Sequence, residues 1–322
     1  MATRTRRPMH PYIELSKARL TLLVLSTTAV GFLVSDRTFA LPLFLWTVLG
    51  TGLAAAGANA LNQWMEYRQD VLMERTRERP IPSRRLTRGH ALAVALASAT
   101  LGIAILATRV NLLTAALGAF VVLFYVLVYT PLKQRTPLCT LAGAVCGAIP
   151  PMMGWTGATG SIGFGAWALA LTLFLWQIPH FLALAWLYRD DYARGGFRML
   201  PAVDPSGRIT GLLAVLYTMA LLPLGLLFFL GGLAGWTFLA GSLALSVGFL
   251  ILGLRLQRAR DERHARMLFL GSIAYLPLLL GLLVIDRGPA RGMERTAFLA
   301  TARPAAPLSP APGSTRRNPE TP

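Results

Sequence analysis

The sequence predicts an all-α integral membrane protein with about nine transmembrane helices, and three observations point there. Of 322 residues, 54% are hydrophobic and only 14% charged, with mean hydropathy +0.54, whereas soluble chains carry about 25% charged residues. The apolar residues gather in uncharged runs close to the roughly 20 residues that a helix needs to cross a hydrocarbon core. Between these runs the basic residues fall unevenly, as in chains that insert with their positive loops on one side.

In chain order, residues 1–18 form a basic segment carrying Arg4, Arg6, Arg7 and Lys17. Apolar runs follow at about 20–35, 41–65, 89–108, 111–129, 138–157, 163–187, 209–230, 233–254 and 268–285. The first is short, and only Gly231-Gly232 parts the seventh from the eighth. Residues 19–286 therefore read as one membrane domain. Residues 287–322, rich in Pro, Ala and Arg, have too little apolar surface to build a core and read as a disordered tail. The first apolar run follows a basic segment with no small-residue cleavage pattern, so no signal peptide is expected.

The net charge of +17 would suggest a nucleic-acid partner on a soluble domain. Here topology explains it. Of 31 basic residues, 23 fall at the N-terminus up to Arg19 and in the connections 66–88, 133–135, 188–208 and 255–266. The opposite connections hold only Arg37 and Arg109, and six more lie in the tail. The first set is expected to be cytoplasmic, with the N-terminus inside and the C-terminus on the far side. The basic N-terminal stretch is short for a mitochondrial transit peptide, which favours a bacterial inner membrane. Cys139 and Cys146 lack metal-ligand spacing and read as small core residues.

None of the nine runs contains Asp, Glu, Lys or Arg, and His180 is the one readily titrating group well inside one. This argues against an ion-coupled transporter, which places charges near the midplane. The carboxylates gather instead at the cytoplasmic ends of the second and sixth runs. Asn62, Glu66 and Asp70 are spaced four apart, so on a helix they share an arc of about 80°. Like charges at that spacing need a counter-ion. One reading is a solvated helix end neutralised by Arg68, Arg75 and Arg77. The other is a Mg²⁺ site, because a hard cation takes one or two carboxylates together with phosphate oxygens, with Asn62 adding an oxygen ligand or a phosphate hydrogen bond.

The second cluster runs Trp176-Gln177-Ile178-Pro179-His180-Phe181 to Arg189-Asp190-Asp191-Tyr192 and Met199-Leu200-Pro201. His180 lies about 15 Å along a helix from Asp190, inside the membrane, with Pro179 able to kink the helix. Asp190 has a structural alternative in a pair with Arg194, and His180 in a bond to a backbone carbonyl. Between the clusters, Lys133, one of only two lysines, and Arg135 are suited to phosphate oxygens. Gly143 and Gly147 form a small-xxx-small pair that reads as a helix-packing seam.

These residues resemble the UbiA-type membrane prenyltransferases, and within them the branch that farnesylates protohaem IX. The broader likeness rests on Asn62-x3-Glu66-x3-Asp70 and the acidic end of the sixth run. The narrower one rests on Asp70-x2-Met73-x-Arg75-Thr76-x2-Arg79-Pro80, Tyr129-Thr130-x2-Lys133-x-Arg135-Thr136, Pro150-Pro151-x2-Gly154-Trp155, Trp176-Gln177-x-Pro179-His180-Phe181, Asp191-Tyr192 and Leu268-Phe269-x2-Ser272. The likeness covers about residues 10–285. Glu66 stands where the pattern has Asp, Ala18 replaces a Pro, and Leu138-Cys139 replaces a polar pair.

The resemblance implies transfer of a farnesyl group from farnesyl diphosphate to a vinyl group of haem b, with water addition, giving haem O and diphosphate. It implies Mg²⁺ on Glu66, Asp70 and Asp191, and catalytic roles for Asn62, Lys133, Asp190 and Asp191. Diphosphate would be gripped by Arg75, Arg79, Lys133 and Arg135, and haem by His180 and Trp176. Trp64, Tyr67 or Trp155 would steady the allylic cation through cation–π contact. Farnesyl diphosphate, haem b and the bilayer are the expected partners, with a haem-hydroxylating enzyme or oxidase assembly factors downstream and no nucleic acid. The alternatives are a prenyltransferase acting on a quinone-precursor or chlorophyll-type acceptor and, from another class, a membrane haem or lipid transporter.

Overall fold

The computed structural model describes residues 10–35 and 38–287. The expectation of a disordered tail therefore falls outside the described residues. Within them the chain is helical throughout, in the order α1 (Pro11–Leu15), α2 (Ala18–Val34), α3 (Leu41–Met65), α4 (Tyr67–Leu72), α5 (Arg88–Ile105), α6 (Leu112–Phe124) and α7 (Thr130–Leu132). Then come α8 (Cys139–Thr159), α9 (Phe164–Leu187), α10 (Arg189–Arg194), α11 (Leu200–Val203), α12 (Arg208–Ala220), α13 (Leu224–Leu230), α14 (Trp236–Ala259) and α15 (Glu262–Ile285).

Seven segments among the described residues are long and apolar enough to cross a membrane: Leu41–Met65, Arg88–Val110, Leu112–Leu132, Phe164–Leu187, Arg208–Leu230, Trp236–Ala259 and Glu262–Ile285. The other two expected runs are α2, which is shorter, and α8, whose glycines and prolines lower its hydropathy. The segment Arg208–Leu230 breaks at Pro223 into α12 and α13, where proline removes a backbone donor. Helix α9 continues through Pro179 and is buried along most of its length at the centre of the bundle.

Lipid gives helices no hydrophobic reason to associate, so their packing relies on close backbone approach. Between α3 and α5 the seam is Gly50, Ala54, Gly57 and Ala58 against Ala95, Ala99 and Gly102. Between α2 and α8 it is Gly31 and Gly154, where an added Cβ would sit 2.0 Å from Pro151 O and 1.9 Å from Thr28 O. The pair read as a seam, Gly143 and Gly147, lies elsewhere. These two face the Tyr129 ring and the Gln177 side chain on the wall of an internal cavity. A small-xxx-small spacing marks a face with little bulk, and here that face admits the Tyr129 ring and the Gln177 side chain beside the cavity.

Two helices widen into single π turns, Leu106–Val110 after α5 and Tyr125–Tyr129 after α6. Such bulges occur where a helix must present side chains out of ordinary register. The second sets the Tyr125 and Tyr129 rings 5.0 Å apart on the cavity wall. Thr130 closes this turn, its amide and its hydroxyl both donating to Tyr125 O, the hydroxyl at 2.8 Å.

Candidate prenyl diphosphate and metal site

Three polar segments meet at one Arg-rich end of the bundle: the end of α3 with α4, the turn after α7, and α10 with its following strand of coil. Helix α3 stops at Met65, but Glu66 N still bonds Asn62 O at 2.9 Å and Asp70 N bonds Glu66 O at 2.8 Å. The four-residue register therefore survives the break. Asn62, Glu66 and Asp70 are all buried, which overturns the solvated helix end as their explanation.

Their counter-ions are also different from that reading. Asp70, fully shielded from solvent, accepts from Arg79 Nη1 at 2.7 and 2.8 Å. Lys133 Nζ lies 2.9 Å from Glu66 Oε1 and donates to Oε2 at 3.2 Å. Burial lowers the Lys133 pKa, but the Glu66 charge and hydrogen bond outweigh it and hold the ammonium above its usual range. Arg68 instead leans on Tyr67, Arg77 is exposed, and Arg75 stacks 5.2 Å from Tyr188 and 5.7 Å from Tyr192.

Of the acidic pair, Asp191 faces inward and Asp190 does not. Asp191 accepts from the backbone amides of Glu74 at 2.9 Å and Arg75 at 3.2 Å and from Arg194 at 2.7 Å. Burial opposes its ionisation, yet Arg194 and the two amides hold its carboxyl below the usual range. It thus ties the turn after α4 to α10. Asp190 is 85% exposed, 3.8 Å from Arg189, and Arg194, its expected partner, pairs with Asp191 instead. Arg135 is exposed at the mouth. Arg198 N donates to Lys133 O at 2.7 Å, fastening the turn that carries Lys133.

Lys17, placed only as a topology residue by the sequence, enters this site. Asn59 Nδ2 donates to Ser16 O, and Gln63 Nε2 to Glu14 O and Leu15 O, so α3 grips the turn before α2. Lys17 takes a left-handed conformation there, φ 48°, and its Nζ donates to Asn62 Oδ1 at 2.6 Å. Burial, then repulsion from Arg79 and Lys133, push its ammonium well below the usual lysine range. The available signal was rarity: both lysines in a chain with 31 basic residues stand in one mouth. A third cation facing Asn62 is expected to meet a phosphate. Lys17→Met should weaken binding of a non-hydrolysable prenyl diphosphate about 10- to 100-fold, the worth of a charged hydrogen bond, as read by calorimetry.

Whether these residues suit Mg²⁺ turns on their free oxygens. Glu66 Oε1 is fully buried and meets the Lys133 ammonium at 2.9 Å without hydrogen-bond geometry, and Asp70 meets a single guanidinium nitrogen. Two such carboxylates beside diphosphate oxygens match a hard cation that keeps few protein ligands. Among the described residues no three His, Cys, Asp or Glu side chains converge as a ready-made metal cage, so the diphosphate has to supply oxygens.

Below the mouth lies an apolar cavity of about 160 Å³. It extends from Asn59, Tyr129 and Gly143 near the polar end to Thr51, Gly118 and Met153, about 12–15 Å deeper by helical rise. Its aromatic lining is Tyr125, Tyr129 and Phe181, which corrects the expected cation-stabilising set. Trp64 and Tyr67 lie against Arg88, with Tyr67 3.9 Å from its guanidinium, and Trp155 packs on Gly165 outside the cavity lining. Proximity in sequence to the acidic cluster misled, because Trp64 and Tyr67 leave α3 and α4 on another face. Cys139 and Cys146 are free and buried as expected.

His180, on α9, sits beside Trp176, with ring centroids 5.2 Å apart, and against Phe269 of α15 at 5.0 Å. Its Nδ1 is 2.7 Å from Ser272 Oγ, so its partner is a side chain across the bundle and not a backbone carbonyl.

The model of the UbiA prenyltransferase family matches residues 23–273. The chain is 43% identical over 289 residues to the protoheme IX farnesyltransferase of Solibacter usitatus, covering 87% of this chain and 99% of that one. Its fold resembles an apo UbiA homologue from Aeropyrum pernix, with TM-score 0.68, 19% identity, and 83% and 97% of the two chains covered. It also resembles a UbiA homologue from Archaeoglobus fulgidus bound to GPP and Mg²⁺, with TM-score 0.62, 15% identity, and 85% and 99% covered. With buried carboxylates and lysines at the head of an apolar cavity in this fold, the chain belongs to the UbiA prenyltransferase family.

Proposed function

We propose that the chain transfers a farnesyl group from farnesyl diphosphate to a vinyl group of haem b, releasing diphosphate and, after water adds, giving haem O. The observation that carries the reading is the juxtaposition of a buried charged mouth with an apolar cavity lined by no charged residue, suited to an isoprenoid tail. Close relatives named for protoheme IX support the acceptor.

Mg²⁺, when bound, neutralises the diphosphate as it departs, and the Archaeoglobus homologue with GPP and Mg²⁺ supports its use. Its proposed ligands are Glu66 and Asp70 on one wall and Asp191 on the other, the last exchanging the amides it holds. Arg79, Lys133 and Lys17 then turn from carboxylates and Asn62 to diphosphate oxygens, joined at the rim by Arg75 and Arg135. Asn62, held by Thr130, sets the height of the diphosphate above the cavity. As the C1–O bond breaks, Tyr125 and Tyr129 face the developing allylic cation and the apolar wall excludes water. The vinyl carbon bonds to C1, and water captures the resulting cation with loss of a proton. That proton passes to solvent, and Asp190, exposed and facing away from the mouth, takes no part in the step. His180 and Trp176 face the porphyrin.

The test is incubation of the purified protein with haem b, farnesyl diphosphate and Mg²⁺. Haem O is expected to form and to cease with EDTA. Turnover of a quinone-precursor or chlorophyll-type acceptor in its place would redirect the assignment, and no turnover with any acceptor would favour a transporter. We place the Arg-rich mouth at the cytoplasmic face of a bacterial inner membrane, the C-terminus opposite, with a haem-hydroxylating enzyme or oxidase assembly factors receiving the product.

A further inference from the structure

His180 is held on three sides. Trp176 and Phe269 cover the two faces of its ring, at interplanar angles of 24° and 30°. Trp176 is itself anchored, its Nε1 donating to Ser272 O at 2.9 Å. The Nδ1 edge meets Ser272 Oγ at 2.7 Å. That hydroxyl has one proton, and it is donated to Phe269 O at 2.6 Å. Assigning that proton to Phe269 O leaves Ser272 Oγ to accept from the imidazole, with the ring proton on Nδ1. Nε2 is left with its lone pair, and among the described residues it has no hydrogen-bond partner. Gln177 and Phe181, neighbours of His180 on α9, line the cavity.

An imidazole with Nδ1–H tied to an oxygen and Nε2 bare is the form that binds metals, and the partner on Nδ1 decides which nitrogen is offered. We propose that Ser272 is a positioning residue that holds His180 as its Nδ1–H tautomer and presents Nε2 to the iron of the porphyrin acceptor. The proposal rests on haem b being the acceptor. It gives the buried serine of α15 a task in recognition: the iron is fixed by His180 while the ring substituents are swung toward the prenyl carbon.

Two measurements separate the tautomer from the acceptor. In full-length protein labelled with ¹⁵N-histidine, the resonances lost in His180→Gln should show a protonated Nδ1 and an unprotonated Nε2 without haem; the opposite tautomer would overturn the proposal. In titrations with ferric haem b, the wild type should give the absorption and paramagnetic signature of histidine ligation. Ser272→Ala should weaken haem affinity about 10- to 100-fold, as second-shell changes do, and shift that signature, while Ser272→Thr retains it. Unaltered affinity and spectrum in both Ser272→Ala and His180→Gln would refute iron ligation while leaving haem as substrate. No haem binding by the wild type would overturn the acceptor reading, and the proposal with it, whatever the tautomer.

Discussion

Asp70→Ala is expected to lower kcat/KM for farnesyl diphosphate by about 1000-fold or more, a loss of several kcal/mol of transition-state charge stabilisation, while haem binding stays as in the wild type. Asp70 combines two tasks. Its carboxylate is a proposed metal ligand, and it is the sole carboxylate bonded to Arg79, by a pair of contacts at 2.7 and 2.8 Å with Asp70 wholly buried. Removing it deletes a metal oxygen and leaves the guanidinium in a half-buried site without its anion, which is strongly unfavourable. Asp70→Asn keeps the shape and separates the effects. It should recover part of the thermal stability lost in Asp70→Ala and none of the activity. Steady-state kinetics, a haem titration and a melting curve on the three proteins measure this. Full activity in Asp70→Asn would remove Asp70 from the metal site.

Gly154→Ala is expected to cost about 3 kcal/mol or more, the upper end for overpacking, and to be read as loss of monodisperse protein and a lowered melting temperature in detergent. The added methyl would stand 1.9 Å from Thr28 O and 2.8 Å from Phe32 N, both backbone atoms that cannot step aside unless α2 and α8 separate. The same change at Gly147 meets the end of the Gln177 side chain, 2.0 Å from its Oε1, and that amide can rotate. Gly147→Ala should therefore keep a near-normal melting temperature and lose activity through a narrowed cavity. Equal destabilisation by the two substitutions would contradict the division between seam and cavity wall.

Much of this protein follows from local chemistry. The spans are legible because a bilayer demands long uncharged helices, and the expected runs recur as helices within a few residues of their bounds. The row Asn62, Glu66 and Asp70 is legible because four-residue spacing and backbone hydrogen bonds both act over a single turn, even where α3 breaks at Glu66. Residue type alone also singled out Lys133 and His180, since a lysine or an intramembrane histidine is costly without a task.

The partnerships could not be read that way, because each is made across loops whose course is set by packing. Nothing in the spacing distinguishes Arg79 from Arg75 or Arg77 as the counter-ion of Asp70. The choice falls to the turn after α4, which Asp191 holds by its Glu74 and Arg75 amides from 116 or more residues away in sequence. Likewise the order Asp190-Asp191 is symmetrical on paper, and the direction in which α10 leaves α9 buries the second and exposes the first. Lys17 turns inward only because Asn59 and Gln63 of α3 seize the preceding carbonyls. The sequence by itself determined a membrane bundle with an acidic, phosphate-seeking end. Tertiary structure alone decided which cation meets which carboxylate, which aromatics face the cavity and which nitrogen of His180 meets Ser272, because burial makes those pairings strong and the helix period carries no information about them.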